Sequence, residues 1–357
     1  MSNFSTPQFS APQQGFAQEL RKQVHLYFQQ HQISKFGGKK ILFKSILLIL
    51  FFGVNYYLWV FLDFNFAIKI LLSSIMGILT ALIGFNIMHD GAHQSFNQRK
   101  WLNNVASYTL NFLGASVFFW KTKHNIVHHT YTNIPDVDDD IEAGIFMYLN
   151  PAKKKYSFHQ YQHLYFPFVY AFLYLYWVFY ADYKKYFSKK VGQIKIENFN
   201  QNEKVIFWLS KIFHLIVFVV LPIILVGWKE WALLFLIYAF TAGLVLSIVF
   251  QLAHIVEETN FLIPDSNNKL SDEWMIHQLK TTANFAMNSK ALSYLLGGLN
   301  YQIEHHLFPN ISHVHYPRIS KIVQEVCYKY NVPYYAHPTM LVALHSHYKK
   351  LKYLGKM

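Results

Sequence analysis

Histidine is the residue in this sequence with the most obvious capacity for chemistry: there are 19 in 357 residues. At that frequency an H-x-x-x-H pair is expected about once by chance, so His89-Asp90-Gly91-Ala92-His93 alone says little. The H-x-x-x-H-H run of His124, His128 and His129 is expected only ~0.05 times on the same arithmetic. The pair His305-His306 adds a third cluster. On a helix, residues four apart share a face, so His89 and His93 can address one site. Neighbours diverge by about 100° at roughly 3.6 residues per turn. A helix carrying His124, His128 and His129 can therefore serve two metals, one on either side, and His305 with His306 can do likewise. With His254, these clusters supply eight imidazoles, too many for one ion and suited to a pair.

Which metal follows from what is missing. Imidazole binds zinc, copper, iron and nickel alike. A hydrolytic zinc site needs three ligands, an open position and a general base, as in H-E-x-x-H, and no H-E-x-x-H occurs here. An all-histidine pair of ions under a long apolar bundle points instead to redox chemistry on O2, which non-haem iron performs. Cys327 is the only cysteine, which excludes disulfides within the chain, cysteine zinc sites and cysteine-bound iron–sulfur clusters. The isolated His25, His31, His159, His163, His345 and His347 read as solvated surface, and His214 as a hydrogen-bonded bundle residue.

The elements that must position these imidazoles are apolar. Hydrophobic residues make up 53% of the chain and charged ones 14%, against roughly 25% charged in an average soluble domain. Crossing the hydrocarbon layer as a helix takes about 20 mostly apolar residues. Four stretches qualify: Ile41–Leu62, Phe66–Met88, Val205–Gly227 and Trp231–His254. Their charges are Lys44, Lys69 and Lys211, the first two near the ends, where long stems can snorkel to the interface. His89 directly follows the second stretch and His254 ends the fourth. Imidazoles gathered at one mouth of a bundle are functional candidates.

The four spans form two hairpins with short loops, Asp63–Asn65 and Trp228–Glu230, so the remainder lies on one side of the membrane. That side carries Lys153–Lys155, Lys184–Lys185 and Lys189–Lys190, as expected of cytoplasm. Two further apolar runs, Asn103–Phe119 and Leu164–Ala181, are polar or rich in Tyr and Trp, and read as interfacial or buried in a cytoplasmic cap. The reading is an all-α membrane protein: an N-terminal segment (1–40), a first hairpin (41–88), a first cap segment (89–204), a second hairpin (205–254) and a second cap segment (255–357). Ile319, Ile322, Val323, Val326 and Tyr330 recur at helical spacing, which predicts an amphipathic helix in the second cap segment. The Gln-, Ser- and Pro-rich N-terminus shows no signal-peptide core and reads as flexible. The net charge of +13 suits an anionic membrane surface and partners carrying phosphate or carboxylate; no nucleic-acid partner is expected.

These residues resemble the three histidine boxes of the integral-membrane fatty-acid desaturases, H-x3-4-H, H-x2-3-H-H and H/Q-x2-3-H-H. Here they stand as HDGAH (89–93), HNIVHH (124–129) and QIEHH (302–306), within the flanks WKTKHNIVHHTYTNIPDVDDDI (120–141) and GGLNYQIEHHLFPNISHVHYP (297–317). A third box opening with Gln302 resembles the front-end branch, which adds a double bond between an existing one and the carboxyl end. The likeness runs from about Ile41 to about Val332.

It implies a four-helix bundle with a cytoplasmic cap, and a di-iron centre that activates O2 and removes two hydrogens from an acyl chain to leave a cis double bond. It implies His89, His93, His124, His128, His129, His254, His305 and His306 as iron ligands, with Gln302 as a weak ligand or hydrogen-bonder. Asp90, Asp138 and Asp140 would orient ligand imidazoles by accepting their second N–H. Asn284, His313 and His315 lie in family-like surroundings without an assigned role. Many front-end desaturases carry a fused cytochrome b5 with an H-P-G-G motif, which is absent here. The expectation is a separate donor, ferredoxin or cytochrome b5 with a reductase, docked on the basic cap.

The substrate would be an acyl lipid or acyl-CoA. A sphingolipid long-chain-base desaturase and a di-iron lipid hydroxylase share the boxes and are the alternatives. A zinc-dependent membrane hydrolase would need no O2. A metal transporter would string ligands along a path through the bundle, whereas here they gather at one side.

Overall fold

A computed structural model describes residues 6–11, 15–141, 144–150, 153–196 and 199–357. Helix α1 (Phe16–Gln30) precedes the first hairpin, made of α2 (Gly38–Phe61) and α3 (Phe66–Ala92). The Asn65 side chain caps α3 by accepting from the Ile68 N–H (3.1 Å). In the second hairpin, α8 (Gln201–Val226) and α9 (Trp228–His254) are separated by Gly227 alone. Its φ of +91° lets the chain reverse within one residue, so the turn is shorter than the expected Trp228–Glu230.

Three span boundaries differ from the expected ones, and the third matters for the site. Helix α2 starts at Gly38 and α8 at Gln201, before the expected Ile41 and Val205. Helix α3 continues through Ala92, so His89 sits in its last turn and not beyond it. Close packing of α4 (Lys100–Phe112) against that turn explains the extension. A Cβ at Gly91 would lie 2.6 Å from the Ser107 nitrogen and 2.7 Å from the Ala106 Cβ. The helix stops at His93, whose ψ of 2° leaves the helical region.

Within the bundle α3 crosses α9 closely: a Cβ at Gly77 would stand 2.6 Å from the Tyr238 carbonyl oxygen. Met76, Tyr238, Ala239 and Ala242 are fully buried there, while Phe43, Phe51, Leu71 and Ile224 face outward. So much outward apolar surface calls for hydrocarbon as its solvent. All three span lysines are paired. Lys69 pairs with Glu230 (2.7 Å) and Asp63 (3.1 Å), tying the two hairpin turns together at the edge remote from the histidines. Lys44 donates to the Tyr294 carbonyl, and Lys211 donates to Asp182 (2.9 Å) and to the Gly114 and Val178 carbonyls.

The two extra apolar runs enter the bundle instead of lying on it. Asn111 of α4 donates to Ser210 of α8, and Phe112 packs on Phe52 of α2. A pair of helices, α6 (Ser157–Ala171) and α7 (Leu173–Ser188), is bent by 58°. At the bend the Tyr174 hydroxyl accepts from the Tyr238 hydroxyl (2.8 Å), 16 residues and so ~24 Å along α9 from His254. Both arms return to the histidine side, through His159 bonded to Ile145 and Lys185 facing Asp139. The pair is re-entrant, and Tyr170 and Tyr174 find their hydrogen-bond partners inside the protein, while Tyr176 and Tyr180 stay exposed.

The histidine side is closed by α5 (117–131), α10 (Trp274–Thr281), α11 (Gln302–Leu307), α12 (Tyr316–Lys329) and α13 (Met340–Lys356). Phe16, Leu20 and Val24 of α1 pack with Ile319, Val323 and Val326 of α12. The chain before the first span is therefore helical from Phe16, although expected to be flexible; residues 1–5 and 12–14 lie outside the described ones. Helix α13 also buries three histidines expected on the surface: His159, His163 and His347, the last bonded to the Ile255 carbonyl and the Tyr170 hydroxyl. His25, His31 and His345 are exposed.

Candidate metal centre

The ends of α3 and α9, the middle of α5 and the short α11 bring the histidine clusters together. Two wide π turns set the register: Gly84–Met88 just before His89, and Thr122–His128 through the second cluster. Such turns shift side chains off α-helical spacing and recur at functional sites. One ring nitrogen from each of His89, His93, His124 and His305 lies within 4.8 Å of the others, and His128, His254 and His306 form a second set by the same measure. His305 and His306 thus diverge as helical neighbours should. In the second cluster the split falls between His124 and His128, although their rings stack at 5.1 Å and both also lie within reach of Asp140. His129 lies between the sets, its Nε2 3.3 Å from His124 Nε2 and its ring 4.5 and 4.4 Å from those of His305 and His306.

The outer side of the imidazoles is held by oxygens. His128 Nδ1–H donates to Asp138 Oδ2 (2.9 Å), and the same carboxylate accepts the N–H groups of Asn133 and Asp140 (2.9 Å each). His306 Nδ1–H donates to Gln278 Oε1 (2.8 Å) and His254 Nδ1–H to the Thr281 carbonyl (3.4 Å). His305 Nδ1 meets the Tyr316 hydroxyl (3.2 Å), and Trp120 stacks on His124 (4.4 Å). Asp140 lies 3.5 Å from His124 and 3.7 Å from His128, and pairs with Lys123. Asp90 behaves differently from the expectation. Its carboxylate accepts from Ser312 (2.8 Å) and His313 (3.0 Å), not from a clustered imidazole, because His89 points away from it into the first set.

An N–H fixed at Nδ1 leaves the Nε2 lone pair facing inward. Among the described residues, His93 Nε2, His128 Nε2, His129 Nδ1, His254 Nε2, His305 Nε2 and His306 Nε2 are buried without a hydrogen-bond partner. At ~1–3 kcal/mol for each unsatisfied group, six would cost ~6–18 kcal/mol, as much as the ~5–15 kcal/mol that holds a typical fold together. Cations bound between the imidazoles remove that cost, and the donor set suits first-row transition ions.

The electrostatics agree. Burial, then repulsion between neighbouring rings, holds His93, His129, His305 and His306 well below the usual histidine range, so they are neutral at pH 7, the form in which an imidazole can ligate. Burial brings His124 down to about 4 against the pull of Asp140. At His128 burial also pushes down, but Asp138 and Asp140 outweigh it and the net direction is up. Asp140 is well below the carboxylate range despite its burial, because Lys123, His124 and His128 surround it.

A family model described as "Fatty acid desaturase" matches residues 65–338. The chain belongs to the fatty acid desaturase family. The desaturase is 32% identical to an sn-1 linoleoyl-lipid 6-desaturase of Synechocystis over 351 residues, 96% of each chain. It is 36% identical to an enzyme of the same name from Arthrospira platensis, over 95% of this chain and 92% of that one. An acyl-lipid (8-3)-desaturase of Mortierella alpina is 30% identical over 95% of this chain and 78% of its own. The protein is thus a membrane oxidoreductase that desaturates acyl chains.

In this desaturase a cavity of about 1220 Å³ adjoins the imidazoles. Along α3 its wall runs from His89 through Met88 and Gly84 to Thr80, nine residues or ~14 Å into the bundle. Tyr174 and Leu113 line it too, their polar groups bonded to each other (3.0 Å). Gln302 lies on the same wall as His89 and His124. Lys123, Lys184 and Lys185, with Asp136 to Asp140, also line the cavity.

Several residues of the site have no signal in the sequence. Gln278 lies in the unremarkable WMIHQLKT segment, and Thr281 contributes only a backbone carbonyl. Asn133, with φ +56°, donates to the His254 carbonyl (2.8 Å) and so ties α5 to the end of α9. His277, buried beside them, bonds the Thr132 carbonyl and joins neither set. Glu304, burial raising it to about 7, bonds Asn284 and Tyr334 behind the third cluster.

Proposed function

We propose that this desaturase inserts a cis double bond into an acyl chain carried by a membrane lipid, using two iron ions, O2 and two electrons in each turnover. His89, His93, His124 and His305 hold one ion and His128, His254 and His306 the other, with His129 between them. Asp138 and Asp140 orient imidazoles from behind, Asp90 braces the segment after the third box through Ser312 and His313, and Gln302 faces the substrate. Bound iron supplies the oxidising power, with O2, to take two hydrogens from adjacent methylenes.

The rest is positioning by the chain's own residues. Methylenes offer no hydrogen bonds, so only the shape of an apolar wall can choose which carbons stand beside His89 and His124. The observation that carries this reading is the cavity itself, which reaches those imidazoles and continues ~14 Å down α3 into the bundle. Front-end regioselectivity is supported by the Gln302-first third box and by relatives named as 6- and (8-3)-desaturases. The basic runs Lys153–Lys155, Lys184–Lys185 and Lys189–Lys190 support a cytoplasmic active site and cytoplasmic termini. Electrons come from a one-electron carrier, ferredoxin or cytochrome b5 with its reductase.

The test is expression in a host that makes only simple fatty acids, with polyunsaturated ones supplied and the lipids profiled by mass spectrometry. A new double bond on the carboxyl side of an existing one is the expected product. A hydroxylated chain would replace the desaturase reaction with an oxygen insertion. Unchanged lipids in the presence of a reconstituted donor would overturn the front-end reading.

A further inference from the structure

The acyl cavity approaches the imidazoles along the bundle, past His89 and His124. A second opening approaches them from the cap. It is a cleft of about 510 Å³ whose floor is Ala92, His93 and Gln94, flanked by Asn125, by the Leu307–Asn310 segment after the third box, and by Trp274. The flanks of all three histidine clusters therefore meet the surface at one place. Arg21, on the exposed face of α1, stands at its edge. Half-buried Trp274 donates its indole N–H to the backbone carbonyl of His129 (3.1 Å), the imidazole that lies between the two sets.

We infer that this cleft is the electron-entry port, and that its occupant is a small soluble one-electron carrier with an acidic face. The inference rests on the desaturase reading. Each turnover converts CH2–CH2, O2, two electrons and two protons into CH=CH and two waters, and the carrier is oxidised by one electron at each of two visits. A water-soluble carrier must come to the cap, since the other approach is occupied by the acyl chain and the bundle.

Charge supports the choice of occupant. The exposed faces of α1 and α12, which pack on each other beside the cleft, carry Arg21, Lys22, Arg318, Lys321 and Lys329 against Glu19 and Glu325, and one of these acids, Glu19, is paired with Lys329 (3.3 Å). Among the described residues the other cations make no salt bridge, and together they can steer an acidic partner. Trp274 then offers a short bonded route from that surface inward, from indole N–H to the His129 carbonyl and its ring. Its place is positional: it touches neither substrate nor O2.

The test uses the full-length iron-loaded protein in detergent, with a plant-type ferredoxin and a cytochrome b5 haem domain as the two probes. Arg21→Glu with Lys22→Glu should weaken binding of the preferred carrier at least tenfold and abolish the salt dependence of that binding. Trp274→Leu should leave carrier affinity and iron content as in wild type. It should slow anaerobic oxidation of the reduced carrier at least tenfold, followed by stopped-flow absorbance. Methyl viologen, a small reductant that needs no docking, should reduce wild type and both variants at one rate; unequal rates would mark a disturbed centre and overturn the role of Trp274. Unchanged carrier affinity in the charge-reversed protein, or unchanged carrier oxidation in Trp274→Leu, would overturn the port. Failure of the desaturase reading has a different signature, a wild-type protein that takes electrons and leaves every supplied lipid unaltered.

Discussion

Asp138→Asn removes one charge while changing the size of the side chain hardly at all. The native carboxylate accepts three N–H groups: His128 Nδ1–H and the Asn133 N–H at Oδ2, and the Asp140 N–H at Oδ1. An amide has only one acceptor oxygen, so its NH2 must face at least one of these donors. Leaving one buried N–H unpaired costs ~1–3 kcal/mol. The bond to His128 also loses its charge assistance, which roughly doubles such bonds and so contributes ~1 kcal/mol. The share of this ~2–4 kcal/mol that falls on His128 as a ligand should lower metal affinity ~10–100-fold, the usual effect of losing a carboxylate behind a ligating imidazole.

The assay is retained iron by mass spectrometry after dialysis of purified protein against a graded chelator series, beside the iron-free melting temperature. Asp136→Asn is the control, because that carboxylate is exposed and its pair with Lys153 (2.6 Å) is a surface one, worth ~0–1 kcal/mol. His128→Ala marks full loss of a ligand. If Asp138→Asn keeps iron like wild type across the series while His128→Ala loses it, the inward orientation of His128 does not depend on Asp138 and the reasoning fails.

Two further outcomes follow from the same geometry. Five buried imidazoles, His93, His124, His129, His305 and His306, have folded values depressed below the ordinary ~6.5. The unfolded chain then binds protons that the folded one refuses, so stability rises with pH, and is lost as pH falls from about 6.5 toward the value of about 4 for His124. Glu304, raised to about 7, and His128, whose net shift is upward, work in the opposite sense, two protons against five; metal-depleted protein should melt at lower temperature at pH 5 than at pH 7 by differential scanning fluorimetry, and a flat profile would contradict neutral burial. Gly91→Ala should cost ~1–3 kcal/mol by overpacking, since its Cβ would press within 2.6 Å of the Ser107 nitrogen; a lower melting temperature and lost iron are expected, and an unchanged melting curve would show that α4 yields freely.

Much of the site was legible because the spacing of the histidines carries information that chance does not supply. His89 and His93 fall in one set, and His305 and His306 divide between two, as helical geometry alone requires. Legibility ended where local pattern ends. Nothing around His159, His163 or His347 announces that α13 will cover them, and a run of Tyr and Trp looks interfacial whether it lies on a bundle or dips into one. Asp90 sits inside the first box, yet its partners Ser312 and His313 come from more than 220 residues away.

The sequence by itself determined the spans, since hydrocarbon thickness sets a minimum apolar length that four stretches meet, and it determined that their mouth gathers imidazoles. Tertiary structure decided the π turns before His89 and through His124 to His128, and which imidazoles gather into which set. It also decided the acceptors that fix each tautomer, Gln278, Thr281 and Asp138, and the second, cap-side opening onto His93. The reason is physical: apolar length and helical period are properties of neighbours along the chain, whereas register shifts and hydrogen-bond partners are settled by what packs against them.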